Sequence, residues 1–223
     1  METFHVIIIC FVVGAFIYSI FFNEKAVVKR TLKRAKLVSV SRFKEGQRAK
    51  LIGIAQPIAD TLLTAPLSGR QCCYYHVVVE QERSSGRSSS WHSLVDEEDW
   101  VDYVINDNGY YAYINSEKIK SHIVRDREYS SGFLNDATPE LKEFLKKYGH
   151  DSESWLGLNK TIRYYEGIIE PGERLALLGR GNWVDPKDIG LPAKYGQILS
   201  VTHDDAKKVI YMSDDENCTS LQQ

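Results

Sequence analysis

Cys72 and His76 come closest, by type and spacing, to a reactive pair. A thiolate and an imidazole can share a metal ion, or act as nucleophile and base. Both lie in the run Cys72–Glu80 (CCYYHVVVE), whose aromatic and β-branched residues predict the strongest strand of the chain. Four residues along a strand put them on one face but about 13 Å apart, too far to hold one ion. They therefore read as a buried thiol and a hydrogen-bonded imidazole. The other cysteines are Cys10, Cys73 and Cys218. Adjacent cysteines rarely pair, and no C-x-x-C spacing occurs, so a disulfide scaffold, a zinc finger and a RING are all excluded.

Other reactive patterns are equally thin. There is no nucleophile elbow, P-loop or H-E-x-x-H. Gly179-Arg180-Gly181 opens like a dinucleotide fingerprint, but it lacks the third glycine and runs into Trp183 and Pro186. Asp96-Glu97-Glu98-Asp99 reads as a solvated hairpin end, and Asp214-Asp215-Glu216 as part of a disordered acidic tail. The tyrosines 74, 75, 103, 110, 111, 113, 164 and 165 sit in strands, where they serve as core or pleat residues. With 28 basic and 30 acidic residues the net charge is −2, and no basic stripe accompanies the aromatics. Nucleic acid is not an expected partner. No catalytic residue, cofactor or metal site is expected.

The elements that would position any site begin with Phe4–Phe22 (FHVIIICFVVGAFIYSIFF), nineteen residues without a formal charge. As a helix this run is about 28 Å long, enough to cross a bilayer. No basic region precedes it and no small-residue cleavage site follows, so it reads as a retained anchor rather than a signal peptide. Lys25, Lys29, Arg30, Lys33, Arg34 and Lys36 follow at once, as residues of the membrane surface. Positive flanks stay inside, which predicts a single-pass protein with its amino terminus outside and its domain cytoplasmic. The same residues either set topology alone or continue a helix with Val28, Leu32 and Ala35 facing lipid or the domain.

Four segments are thus expected: an anchor over 1–23, a basic juxtamembrane helix over 24–37, a β domain over 38–213 and an acidic tail over 214–223. The fold class is one transmembrane helix followed by a mainly β (α+β) domain. A domain of this size buries about 70% of its unfolded surface and sustains its own core. Glu82–Ser90 (ERSSGRSSS) reads as a long flexible hairpin loop, and Asn106-Asp107-Asn108-Gly109 as a tight one. One helix is clear. Thr138 offers an N-cap, Pro139 suits the first position, Leu141, Phe144, Leu145 and Tyr148 form a stripe, and Gly149 ends it.

An internal repeat bears on the architecture. Residues 46–54 (GQRAKLIGI) and 172–180 (GERLALLGR) share Gly46/Gly172, Arg48/Arg174, Leu51/Leu177 and Gly53/Gly179. Each is followed later by a hairpin with a similar exit, at 104–117 and 201–215. Either two turns share common chemistry, or two duplicated small β units flank the helix at 138–148.

The runs LIGIAQPIADTLLTAPLSGRQCCYYHVVVEQ, DNGYYAYI and YYEGIIEPGERLALLGRG resemble the GIDE domain, also called the "beside a membrane" (BAM) domain. That domain is the membrane-proximal part of organelle RING ubiquitin ligases and occurs in bacterial membrane proteins. The resemblance runs from about Val38 to Met212 and is most specific where PLSGR-x-C-x-Y is combined with the downstream E-P-G-x-x-L. It departs from the ligases in lacking RING cysteines, so ubiquitin transfer does not carry over. It also implies a domain in an intermembrane space, against the cytoplasmic side given by the charges. The expected function is a membrane-tethered, non-catalytic interaction or assembly module that binds a protein partner or its own copies. The alternatives are a part of a ubiquitin-ligase-like system, and a sensor of lipid or another small ligand.

Overall fold

The computed structural model describes residues 23–85, 88–131, 138–150, 161–203 and 208–220. In chain order the first elements are α1 (Glu24–Arg34), β1 (Gln47–Pro57), β2 (Leu63–Thr64), β3 (Gln71–Cys72), β4 (Tyr74–Ser85), β5 (Ser88–Trp100) and β6 (Tyr103–Asp107). Then come β7 (Tyr110–Ile114), β8 (Ile119–His122), β9 (Arg127–Ser131), α2 (Pro139–Lys147), β10 (Ile162–Ile169), β11 (Arg174–Val184), β12 (Ile198–Thr202), β13 (Ile210–Ser213) and α3 (Glu216–Thr219). They form two units. The first takes the described residues up to Gly53, Ile105–His122 and those from Arg174 on; the second takes Ile54–Val104 and Ile123–Glu173.

The first unit is built on a barrel. Its sheet runs β1-β6-β7-β12-β11, and a further β1–β11 pairing closes the five strands into a ring. Closure removes the unpaired edges that an open sheet would expose. β12 runs parallel to β7 and antiparallel to β11, while β13 and β8 extend the sheet from β11. Along β1 every residue from Ala49 to Gly53 is buried, which an alternating one-sided strand could not achieve. The explanation is α1. Its Val28 and Leu32, both fully buried, pack with Ile52, Ala176, Leu178, Tyr211 and Cys218. Side chains alternate along a strand, so Ala49 and Leu51 take the face opposite Lys50 and Ile52.

The second unit is a four-stranded antiparallel sheet in the order β5-β4-β10-β9, with a small β2–β3 ribbon. Tyr75, Val77 and Val79 of β4 and Ile162, Tyr164 and Ile168 of β10 pack against Leu141, Phe144 and Leu145 of α2. Here the helix follows the sequence closely. Thr138 accepts a hydrogen bond from the Leu141 amide, and Gly149 takes φ +72° just past the helix.

Several expectations need correction. Among the described residues no helix is long and apolar enough to cross a membrane, and the longest, α1, has 11 residues. The single transmembrane helix, and with it the placing of the amino terminus outside and the domain in the cytoplasm, is therefore overturned. The run 4–22 on which it rested lies outside the described residues. Nor do the repeats make two units with a helix between them. Their strands, β1 and β11, pair with each other in one barrel, while the two units interleave along the chain and α2 belongs to the second. Each repeat strand is also hydrogen-bonded to the strand that opens its later hairpin, β1 to β6 and β11 to β12.

Residues 82–85 and 88–90, expected within a long loop, are strand. The β4–β5 ladder continues through Glu82↔Trp91 and Arg83↔Ser90 to Ser85↔Ser88, because backbone pairing does not require apolar side chains. The acidic end of the chain is ordered as well, as far as Ser220. Asp215 caps α3, and Cys218 is fully buried.

Asp215 also fastens α1, since Lys29 Nζ lies 2.7 Å from its Oδ2, and His122 Nε2 lies 3.7 Å from the same oxygen. Burial alone would raise the Asp215 carboxyl, but Lys29 and the Asn217 hydrogen bonds outweigh it and hold it at about 2. A carboxyl depressed in the folded state contributes its full stability above the unfolded value, about 3.9, and loses it as pH falls toward the folded one. Asp215→Asn should cost about 1–2 kcal/mol at pH 7, after allowing for screening around partly exposed Lys29. The difference from wild type should shrink progressively as pH falls from about 4 through 2 in denaturant titrations. A gap as large at pH 2 as at pH 7 would count against this role.

Candidate functional site

Aromatic side chains converge at one place on the barrel unit. The β6–β7 turn brings up Gly109 and Tyr110, because Asn108 and Gly109 take φ +53° and +87° and the Asn106 side chain accepts from the Gly109 amide at 2.8 Å. The end of β11 supplies Trp183. The connection to β12 supplies Tyr195 and Gln197 through two 3-10 turns, Pro186–Ile189 and Ala193–Tyr195, and Ser41 comes from a third turn, Val40–Arg42. Together these six residues line an open cleft of about 440 Å3.

Each ring is held differently. Trp183 donates its indole N–H to the Phe43 carbonyl at 3.0 Å, and its backbone amide to Glu45 Oε2 at 3.0 Å. Tyr195 meets Tyr111 edge-on at 4.9 Å, and Lys194 Nζ sits 5.1 Å from its ring centre. Tyr195 is only 5% exposed, and its hydroxyl has no hydrogen-bond partner. Tyr110 is the opposite case, 51% exposed. No formally charged side chain lines the cleft.

A second constellation, in the other unit, is ionic. Arg70 Nε donates to Glu170 Oε1 at 3.0 Å, its Nη2 pairs with Glu170 Oε2, and its Nη1 donates to Asp126 Oδ1 at 3.0 Å. Asp126 Oδ2 accepts in turn from the Ile168 amide at 3.0 Å. The P-L-S-G-R run and the E-P-G run are thereby joined through a forked guanidinium–carboxylate contact. All of these groups satisfy one another, which makes the cluster a clasp rather than a reactive centre. The preceding loop borders a smaller cleft of about 330 Å3 with Arg127, Tyr129 and Tyr164.

The residues singled out for chemistry are placed as follows. Cys72 ends β3, Cys73 forms the bend, and His76 lies in β4 with Nε2 2.7 Å from Asp96 Oδ1. Burial, reinforced by the Glu166 carboxylate, pushes the Cys72 thiol up to about 12, and burial with Glu173 nearby pushes Cys73 up to about 11. Burial raises Cys218 too, while Cys10 lies outside the described residues. Iodoacetamide at pH 8 should therefore leave Cys72, Cys73 and Cys218 unmodified in the folded chain and modify all three in urea, as read by mass spectrometry. Rapid labelling of Cys73 without denaturant would contradict this.

Gly179-Arg180-Gly181 lies within β11, and Arg180 Nη1 donates to the Gly46 carbonyl at 2.6 Å. The acidic run 96–99 belongs to β5, where Glu97 and Glu98 accept from the Tyr75 and Tyr74 hydroxyls at 2.6 and 2.7 Å. Of the basic residues expected at a surface, Lys25, Lys33, Arg34 and Lys36 are exposed, whereas Lys29 and Arg30 are half-buried. Among the described residues no three His, Cys, Asp or Glu side chains gather as metal ligands.

No family model, no curated protein and no solved structure matches the chain. The cleft therefore stands on its own geometry. The sequence assigns Tyr110 and Gln197 to strands, and gives neither of them, nor Tyr195, a binding role. One signal was present. Pro186, Gly190, Pro192 and Gly196 punctuate the stretch between Trp183 and Gln197, as in a rigid connection that fixes its aromatic side chains.

Proposed function

We propose that this chain is a non-catalytic interaction or assembly module, of the kind a GIDE/BAM-like domain would form without a RING. The observation that carries the reading is the open aromatic cleft of the barrel unit. Aromatic residues in a concave, uncharged setting, here exposed Tyr110 beside half-buried Trp183, are the usual anchors of protein recognition, because they bury much surface at little entropic cost. The ionic clasp adds support to the resemblance. Arg70 and Glu170 belong to the two sequence runs that carry it, and the pair links them directly.

A cysteine-relay ligase would need an accessible thiol of low pKa, and Cys73, its nearest candidate, is buried with its pKa raised. Incubation of the full chain with a panel of ubiquitin-loaded conjugating enzymes tests this directly. The expected result is no acceleration of ubiquitin discharge. Acceleration that disappears in Cys73→Ser would overturn the reading in favour of a ubiquitin-transferring one.

A further inference from the structure

We infer that β5 pairs edge to edge with β5 of a second copy of this chain, antiparallel, about a two-fold axis between Leu94 and Val95. The inference concerns the second unit and goes beyond the cleft reading, on which it does not depend.

β5 runs for thirteen residues, Ser88–Trp100, roughly twice the length of a usual strand. It stands at one end of its sheet, and among the described residues no strand pairs its outer edge. The strand at the other end, β9, has only five residues. A long uncovered edge is a row of unpaired amides and carbonyls, and what fits it is another extended strand.

Two hydrogen bonds fix which backbone groups point outward. The Val101 amide donates to the Cys73 carbonyl at 2.9 Å, so these two residues form a bonded pair of the β4–β5 ladder. Bonded pairs alternate along an antiparallel ladder, so Val95 and Glu97 turn their backbone groups to β4, and Asp96 and Glu98 turn theirs away. Near the tip the Glu82 amide donates to Thr161 at 2.9 Å, away from β5, so Trp91 opposite it points outward, and Ser93 with it. The register shift between Val79 and Glu80 leaves Leu94 as the extra residue. Without that bulge Ser93 and Asp96 would lie on opposite faces. With it, Trp91, Ser93, Asp96 and Glu98 share both the outward backbone and the sheet face opposite α2.

Charge and register then select the occupant. The acids of β5, Asp96–Asp99, all lie on one side of the bulge, and Ser88–Ser93 on the other carry no acid. A two-fold axis between Leu94 and Val95 sets each outward residue against an outward residue of the copy, Asp96 against Ser93 and Glu98 against Trp91. On the α2 face the same register sets Glu97 against His92. No acid meets an acid. A parallel copy in register would stack all four, and like charges directly opposite are destabilising. Arg163 stands 4.2 Å over the Trp91 ring, which brings a cation to the place where Glu98 of the second copy arrives. The bulges coincide at the axis, so the edge that a bulge would close to other strands is complementary to itself.

The test is sedimentation of the full chain over a concentration series, with residue-resolved amide hydrogen exchange on the same samples. The chain should pass from monomer to dimer. The amides of Trp91, Ser93, Asp96 and Glu98 should gain protection with concentration, while those of Val95 and Glu97 stay protected throughout. Ser93→Pro removes an outward N–H that β4 does not use, and should weaken the dimer at least about tenfold. Ser93→Asp, facing Asp96 twice across the axis, should weaken it about 3- to 30-fold, and Ser93→Lys should strengthen it by a similar factor. The opposite signs of these two decide the matter if Ser93→Pro does not fold. Trp183→Ala should leave the dimer unchanged, which separates this surface from the cleft. A monomer at every concentration, or a dimer indifferent to the charge at position 93, would overturn the inference. So would a monomeric chain whose β5 amides become protected only on adding a lysine-rich peptide.

Discussion

Gly53→Val and Gly179→Val should each cost about 3 kcal/mol and lower the melting temperature of the chain by roughly 6–12 °C. Neither glycine has a positive φ, so the reason is space. A Cβ on Gly53 would lie 2.6 Å from Ile105 Cγ2 and 2.7 Å from the Asn106 carbonyl oxygen. One on Gly179 would lie 2.8 Å from the Thr202 carbonyl oxygen and collide with Val201 Cγ1. A side-chain methyl can rotate away, but a backbone carbonyl in a paired strand cannot. Closing the barrel therefore requires a residue without a Cβ at both positions, β1 against β6 and β11 against β12. Calorimetry on the two variants checks this. Unchanged melting curves would remove the structural equivalence of the two repeats.

Leu32→Ala is expected to cost about 3 kcal/mol and to release α1 from the barrel unit. Leu32 is fully buried and belongs to the cluster of Val28, Ile52, Ala176, Leu178, Tyr211 and Cys218. Truncation would leave a cavity in that cluster and remove a main apolar contact of an eleven-residue helix, which is too short to persist alone in water. Hydrogen exchange should show α1 amides losing protection before those of β11. Lys33→Ala, one residue on and exposed, should change stability by less than about 0.5 kcal/mol. Equal effects of the two changes would contradict a docked helix.

How far the sequence reveals this molecule depends on the range of the contacts involved. Local signals read well. The Thr138 cap and the Asn108-Gly109 turn are each decided within a few residues and found as expected, and of the expected helix stripe Leu141, Phe144 and Leu145 are buried while Tyr148 is exposed. Of the outcomes weighed for α1, that Val28 and Leu32 face the domain is the one observed. Long-range organisation did not read well. The repeat was visible at Gly53 and Gly179, yet nothing local says that β1 and β11 pair with each other instead of founding separate units.

Polarity misled twice, for the same reason. Residues 82–85 with 88–90, and Asp214–Glu216, are rich in serine or acid, but a backbone ladder orders the first set and a buried ion pair with an N-cap orders the second. The cleft was the least legible feature. Tyr110, Trp183 and Tyr195 are far apart in sequence and meet only because the barrel brings two connections to one end.

The most direct test of the account is site-specific photo-cross-linking in cells. A benzophenone side chain replaces Tyr110 at the cleft or, as control, exposed Glu143 on α2. The account predicts a discrete protein adduct at position 110, identified by mass spectrometry as one partner or a second copy of the chain. It should be lost when Trp183→Ala is added and absent from position 143. Equal adducts at both positions, or none at 110 in a folded chain, would contradict the claim that the barrel cleft is where this protein binds.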